Sequence, residues 1–222
     1  IPGPMRILLI AAVCVHAVHI LVFLWRNVFH GVNLDTFVPS WFVTFNGIMV
    51  STVAGAAVLP PIMAKAVLCW GLFIYTVTIP FMVWRLATRE VKPAAFHTQA
   101  IVLAPCSLCL VSYLNVVKEP SQIVVSILTV CVMASLAFIV IKLPAFYAVP
   151  FAPGFAGLTF PMAIGVVASN KAAAYFSGAG QEMIGNVIKQ IAGFQIYLTT
   201  AIIGMVLFCF FKMWQNSMKA AS

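Results

Sequence analysis

Charged residues are scarce in this sequence. Only 7% of its 222 residues are Asp, Glu, Lys or Arg, whereas 64% are hydrophobic. A soluble domain carries roughly a quarter charged residues, because it must cover a surface that faces water. The composition therefore excludes a soluble globular protein and predicts an integral membrane protein.

Acidic residues are the scarcest of all. There are four, and Asp35, Glu90, Glu119 and Glu182 each fall in a predicted loop. Proton- and sodium-coupled carriers place ionisable groups near the membrane midplane, and many cation channels use rings of Asp or Glu. Their absence favours a passive pathway for anions, which hydroxyl groups, amides exposed at kinks and helix N-termini can stabilise.

Sets of residues that carry enzymatic or metal chemistry are also lacking. The sequence shows no Ser-His-Asp set, phosphate loop or embedded carboxylate pair, so no enzyme is predicted. Cys106 and Cys109 have redox or metal spacing but no second ligand pair, and His16 and His19 lack partner histidines for a haem. We therefore expect no metal and no cofactor. The basic residues form no run or face, and nucleic-acid binding is not expected.

Long hydrophobic runs are what the chain has in abundance. Seven of them could cross a hydrocarbon core of ~30 Å as helices, and no alternation typical of a β-barrel is visible. The seven blocks are Met5–Trp25, Phe42–Leu59, Ile62–Trp84, His97–Val117, Ile123–Leu143, Phe155–Phe176 and Ile191–Trp214. The prediction is an all-α integral membrane protein, with seven transmembrane helices in a single domain of residues 1–222.

The positions of Lys and Arg orient these helices. When the loop with Arg85, Arg89 and Lys92 is placed in the cytoplasm, seven basic residues fall inside and five outside. This assignment predicts a multi-pass protein of the inner or plasma membrane with a cytoplasmic C-terminus.

One membrane-entry pattern occurs twice in the chain. The two copies are Phe37-Val-Pro-Ser-Trp-Phe-Val-Thr-Phe45 and Phe151-Ala-Pro-Gly-Phe-Ala-Gly-Leu-Thr-Phe160. Such a repeat indicates related helical hairpins gathered around a shared centre.

Prolines mark the second, fourth and sixth blocks as different from the others. Pro39, Pro105, Pro153 and Pro161 lie at or inside the starts of these blocks. A proline inside a helix frees a carbonyl that must face protein or water, which favours a pore for Pro105 and Pro161. For Pro39 and Pro153, a helix start at the membrane interface is an equally good interpretation. We expect the intervening blocks to be plainer and to form an outer layer.

The kinked blocks also carry small and hydroxyl side chains that could line a pore. For any one of them, close helix packing is the alternative. The candidate pore-lining residues are Thr44, Phe45, Ser51, Pro105, Ser107, Ser112, Phe155, Thr159 and Pro161.

Three segments resemble the family of tellurite-resistance and C4-dicarboxylate transporters, the TehA-like proteins to which the plant slow anion channels are related. The resemblance covers nearly all of the chain, and the middle segment is its most specific part. The segments are Phe37-Val-Pro-Ser-Trp-Phe-Val-Thr-Phe-Asn-Gly-Ile48, Ile101-Val-Leu-Ala-Pro-Cys-Ser-Leu-Cys-Leu-Val-Ser-Tyr-Leu114 and Gly157-Leu-Thr-Phe-Pro-Met-Ala-Ile164.

This resemblance implies a ten-helix fold of five hairpins in quasi-fivefold arrangement, with the odd-numbered helices around a central pore, and commonly a homotrimer. The chain looks like helices four to ten, so its second, fourth and sixth blocks would be inner helices. About three further helices of the family plan would precede them. The resemblance also implies a Phe that plugs the pore, matched here by Phe160, with Phe45 and Phe155 as weaker candidates. The alternative for Phe160 is a packed Phe among 18 in the chain.

Together these features predict a gated anion channel or facilitative transporter that passes small inorganic or organic anions across the lipid bilayer. Two alternatives stay open. One is a coupled exporter of C4-dicarboxylates, sulfite or tellurite, and the other is a non-transporting membrane scaffold or receptor-like bundle. Sequence does not choose the anion, because charge-free pores discriminate mainly by size and dehydration energy.

Overall fold

The described part of the protein is built of helices joined by short connections. Its structure is a computed structural model that describes residues 3–221, and within that range it contains eight α-helices and no β-strand. The α-helices are α1 (Gly3–Leu24), α2 (Trp41–Asn46), α3 (Val50–Ala54), α4 (Pro61–Thr88), α5 (Leu103–Val116), α6 (Gln122–Tyr147), α7 (Thr159–Gly178) and α8 (Glu182–Ala221). The predicted all-α class is confirmed. Residues 1, 2 and 222 of the predicted single domain lie outside the described residues.

Each of the seven predicted blocks coincides with a helical segment. The second block is a short, broken segment formed by α2, a 3₁₀ turn (Gly47–Met49) and α3. Two other blocks begin with 3₁₀ helices, Pro93–Val102 before α5 and Pro153–Leu158 before α7, and α1 continues into a π-helical turn, Trp25–Phe29.

Five of these segments are long and apolar enough to cross a membrane. They are Gly3–Phe29, Pro61–Thr88, Ala95–Val116, Gln122–Tyr147 and Glu182–Lys219. The apolar helix Trp41–Ala54 is shorter, and α7 does not belong to the set. The protein is thus a multi-pass membrane protein, while the count of seven crossings stays a prediction.

The helix α5 lies at the centre of the bundle. Residues 101–112 are all buried, and α5 packs against α4, α6 and α7 as well as against α2 and α3. By contrast, α1 and α8 expose most of their surface.

Polar contacts tie together the loops at each end of the bundle. At one end, the Lys92 ammonium lies 2.9 Å from the Asp35 carboxylate, and the ring of His97 lies 3.1 Å from the carbonyl oxygen of Phe146. At the other end, the Tyr175 hydroxyl donates to the carbonyl oxygen of Pro120. These contacts agree with a chain that passes back and forth between two ends.

The expectation of plain intervening helices is wrong for two of them. Pro80 lies inside α4 and Pro144 inside α6, so both helices contain a position that cannot donate a backbone hydrogen bond. Pro39 precedes α2, and Pro153 is the first residue of its 3₁₀ helix, as expected of prolines that begin helical segments.

Candidate functional site

A groove of about 390 Å³ opens between the second, fourth and sixth blocks. Each of the three blocks contributes several side chains to its wall, and α1 contributes one. The lining residues are His16, Phe42, Val43, Gly47, Val50, Ile101, Ala104, Leu108, Ala156, Gly157, Phe160 and Pro161. The helices that the prolines set apart therefore share one concave surface.

Each block presents one helical face to this groove. In the second block the facing residues include Val43, Gly47 and Val50, which are four and three residues apart. Residues 101, 104 and 108 of the fourth block and residues 157, 160 and 161 of the sixth have the same kind of spacing. Residues three or four apart lie on the same side of a helix, so the wall is a set of three helical stripes.

The second block departs from regular α geometry beside the groove. Between Asn46 and Val50 the chain makes a 3₁₀ turn, in which carbonyls have poorer hydrogen-bond geometry. Two carbonyls before this turn receive side-chain donors from other helices: the His16 ring nitrogen Nε2 lies 2.9 Å from the oxygen of Thr44, and Trp70 Nε1 donates to Phe45 at 2.9 Å. Hydrocarbon offers no such donors, so these contacts stabilise the break.

Close helix packing holds the same segment in place. The side-chain amide of Asn46 donates to the carbonyl oxygen of Gly71 at 3.0 Å. A Cβ atom at Gly71 would overlap the side chain of Met49, and one at Gly47 would lie 3.1 Å from Cε1 of His16. Gly71 thus lets α4 pack directly against Met49, and Gly47 lets α1 pack directly against the second block.

Two prolines weaken the backbone pairing of groove-lining residues. Pro105 and Pro161 are the third residues of α5 and α7, directly after the 3₁₀ helices. Because proline has no N–H, the carbonyls of Ile101 and Gly157, four residues earlier, lack the donor that a regular helix would supply. Both residues line the groove.

Phe160 lies in the groove with its ring partly uncovered. It is 47% exposed, whereas Leu158, Pro161 and Met162 beside it are buried. The preceding Thr159 hydroxyl donates to the carbonyl oxygen of Ala156 at 2.8 Å, within the turn that carries the ring. Phe160 and Pro161 are the two sequence-predicted site residues that the structure brings together in the groove.

The predicted hydroxyl residues do not line the groove in this conformation. Ser51 donates to the carbonyl oxygen of Ile48, and the hydroxyl of Ser112 accepts from that of Thr52 at 2.7 Å. Ser107 is fully buried, and its hydroxyl has no hydrogen-bond partner among the described residues. Thr44 is half-buried and contacts His16 through its backbone.

The other aromatic and proline candidates belong to packed interfaces. Phe45 is buried against Phe23 and Trp41, with ring centroids 5.4 and 6.0 Å away. Phe155 stacks on the ring of His97 at 3.8 Å, and Pro105 is buried inside α5. Their side chains stabilise the ends and the centre of the bundle rather than the groove wall.

The groove wall is apolar and carries no formal charge. Among its lining residues, His16 is the one with a titratable side chain. Its Nε2 must carry a hydrogen to bond the Thr44 carbonyl, because a carbonyl oxygen only accepts. No group of three or more His, Cys, Asp or Glu side chains within residues 3–221 could hold a metal ion.

Sequence reasoning missed most of the groove wall. Val43, Val50, Ile101 and Leu108 look like ordinary apolar core residues, and His16 was considered only for haem or metal binding. For Val43 and Val50, the signal that could have found them is their helical spacing from Gly47, four and three residues away. No such spacing marks Ile101, Leu108 or His16. Ser107 lies one turn after Ala104, but it is fully buried and does not line the groove.

Comparison with known families gives one match. A family model described as SLAC1, voltage-dependent anion channel, matches residues 4–214. No curated protein and no solved structure matches the chain.

Proposed function

The chain belongs to the voltage-dependent anion channel family, and we propose that it is a gated channel or facilitative transporter that passes small anions along the groove between its second, fourth and sixth blocks. The family consists of membrane channels and transporters for anions rather than enzymes. The family match does not give the pathway, its gate or the identity of the anion, and these are what we propose.

The position of Phe160 is the observation that carries the proposal. Its ring projects into a groove that three inner blocks share, and the wall around it consists of aliphatic, glycine and proline residues together with Phe42 and His16. An aromatic ring in an apolar constriction blocks ions by its volume and by keeping water out. Rotation to another rotamer would open the path without moving the helices.

The distribution of charge favours anions over cations. All four acidic residues lie at helix ends or in connections, and none lines the groove. The formal net charge of +8 gives a basic surface, which raises the local concentration of anions. An ion that leaves water for this groove would therefore meet no carboxylate that attracts cations.

Further protein is needed to close the groove on its open side. Val43, Val50 and Phe160 are 56%, 40% and 47% exposed in the described chain. We propose that about three additional helices cover them, as in the ten-helix plan that the sequence resembles, and that three copies assemble as a homotrimer. The proposed setting is the inner or plasma membrane, with a cytoplasmic C-terminus.

Reversal potentials in reconstituted membranes test this function. In a gradient of potassium chloride, the potential should follow the chloride equilibrium and should hardly move when external pH or sodium is changed. A proton- or sodium-driven shift would instead show a coupled carrier, as the exporter alternative requires. Absence of any flux from correctly folded protein would favour a scaffold or receptor-like bundle.

A further inference from the structure

Two cavities outside the groove adjoin each other along α4 and α6. The first has a volume of about 400 Å³ and a wall formed mainly by apolar side chains, among them Ile79, Val83 and Phe138. The second has a volume of about 430 Å³ and lies where α4 ends. Leu86 and Ala87 line both cavities, so the two form one continuous depression on the outer face of the bundle.

The second cavity has a basic mouth. Arg89 and Lys142 line it together with one acidic side chain, Glu90, and the amide of Gln99. The nearby Asp35 carboxylate is paired with Lys92 at 2.9 Å, so it does not cancel the charge of Arg89. The mouth therefore keeps a net positive charge beside an apolar cavity.

A buried arginine holds the backbone of this mouth. The Arg85 guanidinium is 2% exposed and donates to the carbonyl oxygens of Arg89 and Glu90, at 2.8 and 3.2 Å. It also donates to the carbonyl oxygen of Leu34 at 2.8 Å. These bonds fix the chain just after α4 and add a positive charge beneath the side chains of the mouth.

Lys142 marks the border between the polar and the apolar cavity. Its ammonium nitrogen lies 5.9 Å from the ring centroid of Phe138, which belongs to the apolar wall. A lysine with its stem along apolar surface and its charged head at a polar mouth is typical of the membrane interface. The depression is thus divided into a cationic part and a hydrocarbon-like part.

We propose that this depression binds one anionic phospholipid, with its phosphate at Arg89 and Lys142 and one acyl chain between α4 and α6. A soluble anion would use the mouth alone and leave the apolar cavity unfilled. A zwitterionic lipid would bring the positive charge of its own headgroup to a mouth that is already basic. The mouth lies at the end of the bundle that the positive-inside rule assigns to the cytoplasm, where the lipid surface is anionic.

Native mass spectrometry of the purified full chain tests the headgroup contact. The probes are phosphatidylglycerol and phosphatidylcholine with identical acyl chains. The double variant Arg89→Gln/Lys142→Gln should bind phosphatidylglycerol about 25-fold more weakly, because each basic residue near a lipid surface contributes about a factor of five. Its binding of phosphatidylcholine should not change. The control Lys118→Gln/Lys189→Gln removes the same charge elsewhere and should bind both lipids like the wild type.

A second pair of variants tests the acyl-chain contact. Ala134 lines the apolar cavity, whereas Ala137 on the same helix does not. Ala134→Trp should fill the cavity and weaken binding of phosphatidylglycerol, while Ala137→Trp should leave it unchanged. All variants should first show the oligomeric mass and thermal unfolding of the wild type. If Ala134→Trp does not fold, the double variant Arg89→Gln/Lys142→Gln still decides the test, because it changes only side chains at the solvent-exposed mouth.

Three results would overturn the proposal. Inorganic phosphate that competes fully with phosphatidylglycerol would show a site for soluble anions. Equal phosphatidylglycerol binding by the wild type and the charge variant would place lipid binding elsewhere. A changed oligomeric mass in Ala134→Trp alone would show that a second copy of the chain covers the depression.

Discussion

His16 donates through Nε2 to the carbonyl oxygen of Thr44, at a distance of 2.9 Å. This contact joins α1 to α2, just before the chain changes from α to 3₁₀ geometry at Gly47. The His16 ring also lines the groove, so one side chain both supports the break and forms part of the wall.

Loss of this donor should destabilise the protein. His16→Leu leaves the Thr44 carbonyl without its side-chain partner, which costs about 1 kcal/mol for a partly buried group. His16→Gln, which keeps an N–H donor, should recover part of that loss. Thermal unfolding in detergent measures both, with His19→Leu as the control because His19 is exposed on the same helix. Equal melting temperatures for His16→Leu and His19→Leu would contradict a supporting role for the contact.

A second prediction concerns the glycine that contacts Met49. Gly71→Ala should lower the free energy of unfolding by about 1–3 kcal/mol, since its new Cβ overlaps a fully buried Met49 side chain. Gly193→Ala in α8 meets no atom within 4 Å and should be neutral or slightly stabilising. Denaturation of both variants in the same detergent makes the comparison, and equal stabilities would show that the Gly71 contact has no energetic role.

The exposed ion pair between Lys92 and Asp35 should be visible in a titration. The hydrogen bond and charge of Lys92 lower the pKa of Asp35 below its ordinary value of 3.8, with smaller contributions from Arg89 and Arg85. A carboxyl whose folded pKa is depressed stabilises the fold above its unfolded pKa and loses that contribution as the pH falls through the folded pKa. The effect should thus be lost only below about pH 4.

Isotope labelling can isolate this carboxyl, because Asp35 is the single Asp in the sequence. With ¹³C-labelled aspartate, Lys92→Gln should move the Asp35 titration towards higher pH, while Lys118→Gln should not move it. An unchanged titration in Lys92→Gln would mean that the ion pair does not form in solution.

The wall of the groove should be reachable from water, unlike the outer face of α4. In a background without native cysteines, Val50→Cys should react with small hydrophilic thiol reagents, and Val77→Cys should not. The two positions are 40% and 44% exposed, so the environment rather than the exposed fraction decides the outcome. Ser107→Cys should also stay unreactive, because that position is fully buried. Preferential labelling of Val77→Cys would reverse the inner and outer assignments.

Much of the fold could be predicted because hydrophobic runs and turn residues report directly on helices in a membrane. All seven blocks coincide with helical segments, and the family resemblance is confirmed by the match over residues 4–214. The extent of α8 was underestimated, since Glu182 and the residues up to 190 are polar enough to resemble a loop but continue the helix. A helix of 40 residues is about 60 Å long and extends well beyond the hydrocarbon core.

The break in the second block and the wall of the groove could not be predicted in the same way. Before the 3₁₀ turn at Gly47–Met49, the carbonyls of Thr44 and Phe45 are bonded by His16 in α1 and Trp70 in α4. Beside the turn, the Asn46 side chain donates to the carbonyl oxygen of Gly71 in α4. Pro39, the proline that marks this block in the sequence, lies before the segment and not at its break. Hydroxyl groups were expected on the wall, but those of Ser51 and Thr159 bond to backbone carbonyls of their own segments. Local pairing of this kind is common for Ser and Thr in helices.

The central claim is that Phe160 closes the groove, and the conductance of one matched pair of variants tests it most directly. Phe160→Ala removes a ring that is 47% exposed in the groove, and Phe73→Ala removes one that is 61% exposed on the outer helix α4. In planar bilayers, the Phe160→Ala variant of the full chain should conduct anions about tenfold or more better than the wild type. Loss of the ring widens and wets the constriction, and each ~1.4 kcal/mol removed from a barrier raises a rate about tenfold. Phe73→Ala should conduct like the wild type. Equal anion currents from the two variants would contradict the account.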